Sequence, residues 1–142
     1  MKRFSNFKKG FTLVELVIVI AVLAILAAIA VPTMTNVINS ANENTDKSNA
    51  QTIELALKSA YAEAASGTWD ISALKDSPTI DKVTVDDALK HEGLNGIGSI
   101  AVKEGNGCKY VYDSNGHVSC AKTSDSLSEV ASGSYVKTVI DA

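Results

Sequence analysis

The chain has 142 residues, 46% of them apolar, and carries a net charge of −3, which leaves room for one ordinary domain. The charge is uneven: Lys2, Arg3, Lys8 and Lys9 crowd the first nine positions, and removing residues 1–10 takes the balance from −3 to −7. A body that acidic, without clustered Lys or Arg, has no electrostatic footprint for nucleic acid, so no nucleic acid is expected to bind the isolated chain.

Residues 1–10 read as a basic leader. Leu16 through Val31 is an unbroken apolar run, extended upstream by Phe11, Leu13 and Val14. As a helix, residues 11–31 are about 31 Å long, the thickness of a bilayer core, which predicts a transmembrane segment. The four basic residues ahead of it keep the N-terminus cytoplasmic and send the rest outward. One helix is predicted over 11–65. Pro32 ends the apolar run and removes the hydrogen bond to the Ala28 carbonyl, marking a helix break. Residues 36–49 are polar and asparagine-rich. Beyond them Ile53, Ala56, Leu57, Ala60, Tyr61 and Ala64 form a helical stripe, and Ser66-Gly67 is the stop.

Residues 66–142 read as a globular head. Thr84 is the predicted N-cap of a short helix, with Asp87 three residues on and Gly93 as terminator. Short strands are predicted near Ser99–Lys103, Lys109–Tyr112, His117–Ala121 and Tyr135–Ile140, with turns at 104–107 and 113–116, as an antiparallel meander. So few residues make a thin core, and the stripe on 53–64 is the surface a sheet would bury. The fold class is therefore α+β: a long N-terminal hydrophobic helix, part membrane span and part amphipathic, packed on a small antiparallel sheet.

Cys108 and Cys120 flank the 113–116 turn in the exported part, where a disulfide is permitted. Pairing Tyr112 with His117 would put Cys108 opposite Ala121, so the two cysteines nearly face each other. A bridge is worth about 3 kcal/mol in the chain-entropy model; free buried thiols are the alternative. His91 and His117 look isolated, and the Asp113–Gly116 stretch is an incomplete calcium loop, better read as a plain turn. No nucleophile elbow, P-loop or dinucleotide fingerprint is present. No catalytic residue, metal ligand set or cofactor site is expected, and the chain is not read as an enzyme.

Glu15 is the unusual residue. A carboxylate at the centre of a bilayer costs about 3 kcal/mol, and less one turn from the surface, where Glu15 is expected to stand unpaired in the monomer. Gly10, with no Cβ, lets a protease come close to the bond that follows it. The string Lys8-Lys9-Gly10-Phe11-Thr12-Leu13-Val14-Glu15 before the apolar run closely resembles the processing site of type IV prepilins, over about residues 1–40. The ten-residue leader and Phe11 resemble the type IVa subclass. The resemblance implies cleavage by a prepilin peptidase between Gly10 and Phe11, N-methylation of Phe11 in an S-adenosylmethionine-dependent step, and a register role for Glu15 paired with the Phe11 amine of a neighbour. It also implies an assembly platform, an ATPase and storage in the inner membrane among lipids. The end product is an extracellular helical filament of copies of itself, a pilus (fimbrium) that serves adhesion or twitching motility in the family. Type IVa disulfides usually lie nearer the C-terminus, whereas 22 residues follow Cys120 here. The alternatives are a pseudopilin of a type II secretion or DNA-uptake system, a membrane-anchored surface binding module, and an ordinary signal peptide cut near Ala28-Ile29-Ala30.

Overall fold

The computed structural model describes residues 10–74, 79–100, 102, 108–121 and 127–141. It divides into two compact units, residues 1–39 and 40–142. Helix α1, Leu13–Ser66, is long enough to contribute to both. It ends where Gly67 takes a φ of +77° and the Thr68 amide donates to the Glu63 carbonyl at 2.9 Å. That left-handed residue is the reason glycine stands there.

In the first unit every described residue is exposed. Within α1 it contains the one described stretch long and apolar enough to cross a membrane. α1 is helical through Pro32. Proline has no amide hydrogen, so the Ala28 carbonyl loses its usual intrahelical donor. Neighbouring hydroxyls back-bond to the same stretch: Thr33 Oγ1 donates to the Ile29 carbonyl at 3.1 Å and Thr35 Oγ1 to that of Pro32 at 2.9 Å.

The second unit has its own core. Ala50, Ile53, Ala56, Leu57 and Ala60 of α1 are buried against Val83, Val85, Ala88, Leu89, Tyr110, Val118, Val130, Val136 and Val139. These α1 positions follow helical spacing, which puts them on one face. Tyr61 packs at the margin of the same cluster. Helix α2, Val85–His91, starts at Thr84, whose side chain accepts from the Asp87 amide, and ends before Gly93 at φ +81°.

Strands β1 (Lys109–Tyr112), β2 (Val118–Ala121) and β3 (Ser128–Glu129) form an antiparallel sheet in the order β2-β1-β3. The predicted meander is corrected in two ways. β3 joins the free edge of β1 rather than that of β2, and no strand occupies Tyr135–Ile140. Only Tyr135 bridges, to Thr84; Val136–Ile140 is helix α3. The run of β-branched residues suggested a strand, but Val136 and Val139 are both fully buried, an i, i+3 spacing that only a helix can put on one face. Ser99 closes a 3-10 turn, Ile97–Ser99, rather than opening a strand. Residues 101 and 103, and the predicted 104–107 turn, lie outside the described residues.

The β1–β2 register is Tyr112↔Val118 and Tyr110↔Cys120, one residue off the expected pairing. His117 belongs to the turn. Asp113 Oδ1 accepts from the amides of Asn115 (2.8 Å) and His117 (3.0 Å), which lengthens the loop by a residue. Gly116 is obligatory there: its φ is +71° and a Cβ would lie 2.6 Å from the Ile140 carbonyl oxygen. The bridge forms across this hairpin, Cys108 to Cys120, with Cα atoms 5.6 Å apart.

Candidate functional site

The start of α1 is set by a reciprocal pair of hydrogen bonds. The Glu15 amide donates to Thr12 Oγ1 at 3.2 Å, while the Thr12 amide and hydroxyl both donate to Glu15 Oε2 at 2.9 Å. This is a capping box, Thr12 as N-cap and Glu15 as third helical residue, and it satisfies two amides that a helix start otherwise leaves open. The negative carboxylate also sits at the positive end of the helix dipole.

Gly10 and Phe11 precede α1 and are exposed, Phe11 by 85%. The bond between them is therefore accessible in non-helical chain just ahead of the helix. Glu15 is in the first helical turn, one turn beyond Phe11. Sequence reasoning placed these three residues together, but it missed that Glu15 already has a partner in its own chain. The expectation of an unpaired acid is corrected: Thr12 supplies two donors. The signal was present in the sequence, Thr-x-x-Glu directly before an apolar run.

The remaining predicted positions do not join this group. Pro32 lies inside α1, and Cys108 and Cys120 lie in the second unit beside the hairpin. Two further functional contacts in that unit were not foreseen. Glu54 of α1 accepts from Lys58 Nζ (2.6 Å) and the Val118 amide (3.1 Å), and its Oε2 is 2.6 Å from His117 Nδ1. Burial pushes the Glu54 carboxyl upward, but the hydrogen bonds from Lys58, Val118 and His117 outweigh it and hold the group below the usual carboxylate range. His91 Nε2 is 2.7 Å from Glu63 Oε2, also on α1. Both histidines therefore fasten later segments to α1. Sequence separations of 63 and 28 residues left nothing local to read.

No curated protein and no solved structure matches the chain. One family does: residues 5–31 match the prokaryotic N-terminal methylation motif. The match covers the last part of the basic leader, the Gly10–Phe11 bond, Glu15 and the apolar run as far as Val31. Residues 5–31 thus carry the motif that marks the prepilin leader of type IV pilins and pseudopilins.

Proposed function

We propose that the chain is the structural subunit of a type IV pilus, cut by prepilin peptidase between Gly10 and Phe11 and methylated at the new Phe11 amine. The methylation motif at 5–31, joined to an apolar helix whose described residues up to Asn39 are all exposed, carries this reading. Before assembly that helix is solvated by lipid, and assembly exchanges the lipid for the same helix of other copies. The platform and ATPase that drive the exchange follow from membership of a filament system.

Glu15 then has two successive partners. In the monomer its carboxylate is held by Thr12. In the filament the amine of an adjacent Phe11 takes its place, since the mature chain has no Lys or Arg before Lys47. An ion pair between packed apolar helices is strong only when well aligned, so the pairing fixes the axial register of neighbours. The helix break expected at Pro32 is not seen, since α1 runs unbroken from Leu13 to Ser66, but Pro32 supplies the weak point in this scheme. The carbonyl of Ala28 has no amide to receive, so the helix opens most cheaply around Ala28–Thr33 when subunits adjust their length.

The test combines mass spectrometry of the mature subunit with electron microscopy of sheared surface fibres. The expected mature chain begins at methylated Phe11 and builds long fibres, and Gly10→Val leaves only full-length precursor in the membrane. A mature N-terminus at Val31 would mean that signal peptidase acted instead. Correct processing without long fibres would favour the pseudopilin or the anchored binding module.

A further inference from the structure

We propose that Glu63, His91 and Glu92 form a binding site for one divalent transition-metal ion, of the zinc class, in the second unit. One ligand atom from each residue lies within 4.8 Å of the other two. They come from two helix ends: Glu63 from the last turn of α1, His91 as the final residue of α2, and Glu92 as its C-cap. Each helix C-terminus carries a partial negative charge, so two negative poles and two carboxylates meet where the sequence supplies one imidazole.

Glu92 makes the case more than a surface cluster. Its Oε1 has essentially no solvent-accessible area and no hydrogen-bond partner. A shielded carboxylate oxygen without a donor is costly, and a bound cation removes that cost. His91 is also held in place. Trp69 stacks on its ring at 4.1 Å between centroids and 7° between planes, leaving the ring edge for a ligand. Nitrogen and carboxylate oxygens bind zinc at about 2.0–2.2 Å, and three protein ligands plus water is a standard set. His91 Nε2 and Glu63 Oε2 are now 2.7 Å apart, so that pair would have to open slightly for both to reach one ion. Imidazole with carboxylates suits zinc better than calcium, which takes oxygen donors alone.

The experiment is calorimetric titration of the detergent-solubilised full chain, disulfide intact and stripped with chelator, with zinc chloride alone. One Zn²⁺ per chain is expected, and Glu92→Gln and His91→Ala should each weaken binding by more than about tenfold, the loss typical of removing even an outer partner. His117→Ala, which breaks the other histidine–glutamate pair, should leave affinity unchanged. Absence of binding to the parent chain overturns the site, as does binding that survives both substitutions or calcium binding as tight as zinc. Glu92→Gln preserves shape; should it fail to fold, the parent titration and the His91 and His117 variants still decide.

Discussion

Leu23 and Leu57 belong to the same helix and meet opposite fates: Leu23 is 57% exposed and Leu57 is fully buried. Backbone conformation does not make that difference; the pattern of side chains around each leucine does. Around Leu57 the apolar side chains occupy one stripe, and the sheet and short helices of its own unit cover them. Around Leu23 apolar side chains surround the whole helix, which is the pattern of a segment meant for an apolar surrounding on every side. The chain thus satisfies one half of α1 by folding and leaves the other half exposed. On the proposed function that half belongs first to lipid and then to other copies, so stability and assembly fall to different stretches of one element.

The sharpest way to break this division is at Glu15. Glu15→Ala should preserve export and cleavage yet abolish or severely reduce fibres, because the exposed half then has no charge to match a neighbour's amine. Fibre counts by electron microscopy beside the mass of the processed subunit measure both effects at once. Normal fibres built from processed Glu15→Ala subunits would remove the register role and leave Glu15 as a helix cap alone.

The two leucines give the next test. Leu57→Ala should destabilise the second unit by about 2–5 kcal/mol, the cost of a cavity in a closed core. Leu23→Ala should leave its denaturant midpoint unchanged in detergent while weakening fibres. Equal midpoint shifts in the two variants would mean that α1 does not separate the functions as described.

How much of this was legible in the sequence follows the same boundary. The exposed half needs no tertiary partner, so its signals are local: basic leader, Gly10-Phe11, Glu15 and an unbroken apolar run. The stripe at 53–64 and the Thr84 cap were equally local and appear in the structure as α2 and the buried face of α1. The failures lie where distant contacts decide. Val136–Ile140 has strand-like composition, but docking of Val136 and Val139 into the core makes it helical. β3, two residues long, has no periodicity to detect and exists because β1 offers it an edge. The hairpin register slipped because Asp113 captures two amides of the turn, a side-chain choice that the Asn-Gly signal does not encode.

The smallest expected effect concerns Glu54, another glutamate of α1. Glu15 is held by one neighbour in sequence, Thr12, whereas Glu54 joins α1 to the β hairpin through Val118 and His117, with Lys58 alongside. Its folded carboxyl titrates below the ordinary range, despite burial, because those donors favour the charged form. A depressed carboxyl stabilises the fold above the unfolded value, about 4.3, and that contribution disappears as pH falls through the lower folded value. Asp113, lowered by the His117 and Asn115 amides, acts in the same direction and remains as a common background in both proteins compared. At neutral pH Glu54→Gln should therefore cost about 1 kcal/mol, since the amide still accepts from Val118 but loses the ionic part of the contact. Below about pH 4 the difference should shrink as the parent carboxylate is protonated. Denaturant midpoints of both proteins at pH 7 and pH 3 measure it. A gap that stays constant between those values would show that Glu54 acts through shape and not through charge.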